Sequence, residues 1–176
     1  MARDGRDFEV SWRPFQLRPN HPPEGVEKAP DTPENPRVGA RLKAAGQSVG
    51  IDFTGKTDRS PNTLLAHTLM DWCAEVHGSS KQNELQEVLF RAYFTDGVFP
   101  NAENLANAAK EIGLDATEAL AAVNDTQRQA QAQRAAQSAS QNGISGVPFF
   151  FIEDKPAFSG AQDPDTFLKA FRQLAP

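Results

Sequence analysis

Cysteine is almost absent from this chain. Cys73 is the whole thiol content of 176 residues, which excludes an intrachain disulfide and any cysteine-rich zinc site. Histidine is nearly as scarce. His21, His67 and His77 are the only nitrogen ligands available, and a separation of ten positions from His67 to His77 does not bring both onto one metal. No metal site is expected. No apolar stretch approaches the roughly 20 residues that span a bilayer, and the opening Met-Ala-Arg-Asp-Gly-Arg-Asp lacks the apolar region of a signal peptide. A cytoplasmic chain without a membrane partner is the default. Basic runs are missing too: 18 basic residues face 23 acidic ones, a formal charge of −5, which argues against nucleic acid as a partner.

What remains is ordinary globular material, 39% hydrophobic and 23% charged, enough for one soluble domain with a real core. Phe8, Val10 and Trp12 alternate with Glu9 and Ser11, the period of a strand over Phe8–Arg13, and Pro14 ends it. Prolines and glycines between Pro19 and Pro36 predict an irregular surface connection, followed by a short helix over Val38–Gln47. Asn62 can cap a helix in which Leu65, Leu69, Trp72, Cys73 and Val76 share one face and which Gly78 stops. A second helix repeats the spacing with Leu85, Val88, Leu89, Ala92 and Tyr93, widened by Phe90 and Phe94, and both should be mostly buried. Leu105, Ala108, Ala109 and Ile112 mark a third helix, and Asp115 with Glu118 makes a capping box for a fourth. The Ala- and Gln-rich stretch from Thr126 to Asn142 is strong helix-forming composition, closed by Asn142-Gly143.

The period then changes. Phe149–Ile152 is a continuous apolar run, typical of a strand buried on both faces; Asp154-Lys155-Pro156 reads as a turn and Ala157-Phe158 as a short returning strand. A last helix starts at Asp163 as N-cap and Pro164, with Phe167, Leu168, Phe171 and Leu174 on one face. Directly before the Phe149–Ile152 strand stands Gly146-Val147-Pro148. Two readings are open there. Pro148 simply begins the strand, or a cis Val147–Pro148 bond turns the backbone N–H and C=O of Val147 outward, toward an extended peptide.

A family resemblance bears on that choice. Gly143-Ile144-Ser145-Gly146-Val147-Pro148-Phe149-Phe150-Phe151, followed by Phe158-Ser159-Gly160-Ala161-Gln162, resembles the C-terminal signature of the DsbA-like thioredoxin-fold family. Trp12-Arg13-Pro14-Phe15-Gln16-Leu17, Pro61-Asn62-Thr63 with Ala66-His67, and Leu89-Phe90-Arg91-Ala92-Tyr93-Phe94 resemble its FrnE-like branch of disulfide oxidoreductases. The likeness runs in order from about Phe8 to Leu174. It implies an α/β, thioredoxin-like fold of DsbA type, with residues 1–37 and 143–176 forming a partial thioredoxin-like domain and 38–142 a helical insertion. It implies thiol–disulfide exchange as the parent activity, with the Val147-Pro148 loop facing the redox cysteines and binding a thiol- or disulfide-containing peptide or small molecule.

The sequence departs from the family at its start. Members carry a strand and a Cys-x-x-Cys before the segment equivalent to Phe8–Arg13, whereas Met1–Asp7 contains nothing able to act as a low-pKa thiolate. Cys73 lies on the helical stripe of Leu69 and Val76, the place of a buried structural cysteine. No catalytic residue is therefore expected in the chain. In the family's sheet the missing strand lies between the equivalents of Phe8–Arg13 and Phe149–Ile152. Unpaired edges there invite association into oligomers, and an N-terminally incomplete version of a longer protein is the expectation. The expected substrate-binding residues are Gly146, Val147 and Pro148, with Gly160, Ala161 and Gln162 before the last helix and with Asn62 and His67 lining the cleft. Asn62 as a plain helix cap and His67 as a surface histidine are equally open readings. No cofactor is implied, although the related kappa-class glutathione transferases and hydroxychromene-carboxylate isomerases hold glutathione's glutamyl end near the equivalent of Gly160–Gln162. That leaves glutathione as a candidate co-substrate, and a glutathione-dependent isomerase or a non-catalytic peptide-binding module as alternatives.

Overall fold

The computed structural model describes residues 8–174, so Met1–Asp7 lie outside the described part. Its centre is helical. Helix α2 (Leu64–Phe90) is kinked where Gly78 adopts φ 85° and ψ 170°, a conformation essentially reserved for glycine. The chain then folds back, and Gln82 donates to the carbonyl of Met70. Against α2 pack α3 (Ala102–Glu111), α4 (Ala116–Asn124) and α5 (Thr126–Gln141).

Leu69, Cys73, Leu85, Leu105, Ala109, Ala119 and Val123 are fully buried at the junction of these helices. Each large one contributes about 1.5–3 kcal/mol by burial. The short alanines of α3 and α4 let those helices come close to α2, which is why the three-and-four spacing located this core correctly. The helix starts are held as their sequences suggest. Asp115 accepts the N–H groups of Thr117 and Glu118, and Asp125 accepts those of Gln127 and Arg128. The reciprocal bond from the Glu118 side chain, which would complete a capping box, is not formed.

Residues 18–60 lie against the segment that follows α2. Helix α1 (Ala40–Gln47) lies within them, and β1 (Val26–Glu27) pairs antiparallel with β2 (Arg59–Ser60). After α2 the chain widens into a π-helical stretch, Arg91–Asp96. Its carbonyls are taken from outside: the Thr57 hydroxyl donates to Tyr93, the Thr54 hydroxyl to Thr95 and the Thr54 N–H to Phe94. Those bonds replace part of the regular helical ladder.

The C-terminal elements form a small body of their own. Strand β3 (Phe149–Ile152) pairs antiparallel with β4 (Lys155–Ser159), and α6 (Pro164–Leu174) covers them. Phe150, Phe158 and Phe167 stack with ring centroids 4.8–5.0 Å apart, two of the three contacts edge-to-face. Phe8 reaches this cluster at 4.6 Å from Phe171.

Several expectations need correction. Phe8–Arg13 forms no strand and belongs to no ladder, because no strand among the described residues lies beside it. The Phe149–Ile152 run is not buried on both faces: β3 has β4 as its only partner among the described residues, and Phe151 is 52% exposed. The turn between them falls at Glu153-Asp154, both with positive φ, so Lys155 and Pro156 already belong to β4. On α2, Val76 is exposed because the helix turns away at Gly78 before a partner reaches it, and Phe90 and Phe94 keep one side open to solvent. Leu168 of α6 is likewise exposed.

Candidate functional site

Between the helical bundle and the C-terminal body lies a cleft of about 1190 Å³. One side is the segment from Glu9 to Pro14, the other is β3 through Phe149 and Phe151, and α2 and α5 form the floor. Among the described residues the edge of β3 away from β4 is unpaired, and in the facing segment Trp12 is bonded to Gln82 through both its N–H and its C=O. Apolar Trp12, Phe149 and Phe151 face a floor that includes Asp71 and the Glu75–Arg128 ion pair, 2.7 Å long.

Asp71 sits in the most unusual electrostatic setting of the cleft. Burial raises its pKa above the usual carboxylate value, Arg13 pulls it down and Glu75, one turn along α2, pushes it up again. Spacing alone did not single out Asp71. Its neighbours at three and four residues are His67, Thr68, Ala74 and Glu75, so no acidic residue on an apolar face marked it in the sequence.

The Gly146-Val147-Pro148 turn stands at the head of β3. Its Val147–Pro148 bond is cis, and Val147 is 45% exposed, its N–H and C=O making no hydrogen bond among the described residues. The Pro148 carbonyl accepts the N–H of Gly160 at 2.8 Å, which ties this loop to the turn after β4. The structure thus brings Gly146, Val147 and Pro148 together with Gly160, Ala161 and Gln162. Gln162 is already engaged, donating to the carbonyl of Ser159 at 3.0 Å. At the start of α6 the Asp163 carboxylate accepts the Thr166 N–H, a bond that lowers its pKa and places negative charge where a ligand carboxylate would otherwise sit.

Asn62 and His67 lie elsewhere. The Asn62 side chain accepts from Gln16 Nε2 and from the N–H of Leu64, and donates to the His21 carbonyl. It caps α2 from one position further back than the formal N-cap, Thr63. His67 Nε2 meets the Phe15 carbonyl at 3.0 Å, and burial lowers its pKa. Both residues fasten segment 15–21 to α2, and neither touches the Val147 loop. Cys73 is 0% exposed, and burial pushes its thiol up to about 11. Among the described residues no group of three or more His, Cys, Asp or Glu could hold a metal ion. No described helix is long and apolar enough to cross a membrane.

A ββα unit with a proline turn at the head of its first strand, joined to a helical bundle, defines a thioredoxin-like protein of DsbA type. The family model for the DSBA-like thioredoxin domain matches residues 1–172, and the chain belongs to that family. It is 27% identical over 172 residues to the uncharacterized protein YwbO of Bacillus subtilis (strain 168), covering 96% of this chain and 84% of that one. Among solved structures it superposes on a probable DsbA oxidoreductase from Streptomyces coelicolor with a TM-score of 0.77 at 26% identity. That match covers 93% of this chain and 74% of the other.

Proposed function

We propose that this chain serves thiol–disulfide exchange as the part that aligns the substrate, while the redox cysteine pair is carried by polypeptide seated in the cleft. Val147, half-exposed with its backbone N–H and C=O unbonded among the described residues, and two residues before the cleft-lining Phe149, carries this reading. An extended peptide bonded to the Val147 N–H and C=O would be held by main-chain contacts that tolerate many side chains. The exchange itself needs a thiolate: it attacks one sulfur of the substrate disulfide, a mixed disulfide forms and the other sulfur leaves as thiolate. Cys73 is a poor source, being buried and protonated at neutral pH.

By itself the chain is then a peptide-docking module without turnover. A glutathione-dependent isomerase is less well supported, because Asp163 already answers the start of α6. The test pairs two measurements. Insulin reduction by the chain should stay at background, and any turnover would assign the chemistry to Cys73. A disulfide-containing peptide should shift the amide resonances of Val147 and of its neighbours Gly146 and Phe149, and Val147→Pro, which removes the bonding N–H, should abolish the shifts at Gly146 and Phe149. An unchanged Val147 resonance would refute the docking role.

A further inference from the structure

Asn142-Gly143 is the single Asn-Gly step in the chain, and it stands where helix α5 gives way to the loop that carries Val147. Both residues are exposed, and both line the cleft. Ala136 is the last residue of α5 that is buried, so the turn beyond it is held mainly by its own hydrogen bonds. Those run from the Asn142 N–H to the Ser138 carbonyl at 3.0 Å, from Gly143 to Ser140 at 3.1 Å and from Ile144 to Ala139 at 3.2 Å. A helix end without a buried side chain in its final turn opens at low cost.

Asparagine is a chemically labile side chain, and one followed by glycine can react with its own backbone once such an end opens. The Gly143 nitrogen gives up its proton and bonds to Cγ of Asn142, while Nδ2 takes up a proton and leaves as ammonia. Water then opens the five-membered imide. Attack at Cγ yields aspartate, and attack at the backbone carbonyl carbon of residue 142 yields isoaspartate. Glycine favours the ring because no Cβ shields its nitrogen. In the closed helix end the backbone of Asn142, at φ −82° and ψ 14°, turns that nitrogen away from Cγ, so the reaction passes through the opened turn. The Asn142 side chain is barely restrained, its Nδ2 making one long contact of 3.4 Å to Ser138 Oγ. Other asparagines are worse placed. Asn35 precedes a proline, whose nitrogen has no proton to lose, and the side chains of Asn62, Asn83, Asn101 and Asn124 are held in shorter hydrogen bonds.

We propose that Asn142 is a self-acting deamidation site at the junction between the helical bundle and the C-terminal body. The chain gains a negative charge there and, in the isoaspartyl product, one extra main-chain carbon just ahead of the Val147 loop. The charge falls at the C-terminus of α5, where the helix dipole disfavours it, so conversion loosens the end further. This chemistry is independent of whether the cleft docks a peptide.

Peptide mass mapping of the purified chain, aged in mildly alkaline buffer, tests the site. The peptide spanning residue 142 should gain the mass of an amide converted to an acid and split into two isomeric peaks, ahead of the peptides holding Asn20 and Asn107. Earlier conversion at either of those would overturn the assignment. So would an intact residue 142 in the folded chain once the urea-unfolded chain has fully converted, because the helix end would then be closed. Local opening requires a folded rate within about a hundredfold of the unfolded one, whereas global unfolding would give a far slower one. Asn142→Gln should abolish the gain. A gain that persists in the folded variant belongs to a glutamine of α5 and also overturns the site. In the aged fraction the Ile144 amide should exchange hydrogen faster than in fresh protein, and equal rates would overturn the loosening of the helix end.

Discussion

The imidazole Nε2 of His67 lies 3.0 Å from the carbonyl oxygen of Phe15, across 52 residues of sequence. This bond holds the segment after the cleft wall onto the first turns of α2. The burial of His67 also makes the fold sensitive to pH. Burial, the larger influence, lowers the His67 pKa from its ordinary 6.5, and the bond to Phe15 raises it in part. With the folded pKa below the unfolded one, the unfolded chain binds the proton more tightly. The stabilisation is therefore complete above about pH 6.5 and declines as pH falls toward the folded value. Urea midpoints should drop on acidification through this range, and less so in His67→Gln. Identical pH profiles for the two proteins would count against it.

Cys73 should resist thiol reagents in the native state. With its thiol pushed up to about 11, only roughly one molecule in ten thousand carries a thiolate at neutral pH, and that one is buried. Labelling is expected to follow global unfolding and to become complete in denaturant. Fast labelling of the folded chain would show that the site opens locally.

Gly78 should tolerate no side chain without loss. Nothing lies within 4 Å of a Cβ placed there, so space is not the obstacle. The backbone is: φ 85° and ψ 170° fall in a region costing an ordinary residue about 1–3 kcal/mol. Gly78→Ala should lower the unfolding free energy by that amount, with the far-ultraviolet spectrum unchanged. A neutral substitution would show that the fold-back of α2 has another origin.

Leu85 is fully buried where the second half of α2 meets the other helices. Leu85→Ala should cost about 2–5 kcal/mol, the range for a leucine removed from a core that cannot fully collapse. Phe151→Ala should cost far less, because that ring is half exposed at the cleft. Denaturant titrations of the pair rank the two sites, and the reverse order would mean that the C-terminal body is the more tightly packed part.

The helical elements were legible in the sequence because each carries its own signal. Asp115 and Asp163 cap helices whose sequences announced them, and those local rules hold whatever the neighbours do, whereas the cap at Asp125 showed only in the structure. The paired strands at Phe149 and Phe158 were legible for a similar reason, an apolar run followed by a turn. The ββα unit with its proline loop could therefore be located, and Val147 named, before any coordinates.

Strand pairing and cleft geometry were beyond that reach. Whether Phe8–Arg13 forms a ladder depends on what lies beside it, and its own alternation says nothing about a partner. The same holds for Phe151, whose burial depends on a neighbouring strand, and for Asn62 and His67. Their side chains suit a cleft as well as a clasp, and their bonds to residues 15–21 join groups that no local pattern couples. Sequence alone determined the helices, the caps and the scarcity of thiol. Tertiary structure decided the rest, because a hydrogen bond such as Gln82 to Trp12 joins groups 70 residues apart that no local pattern couples.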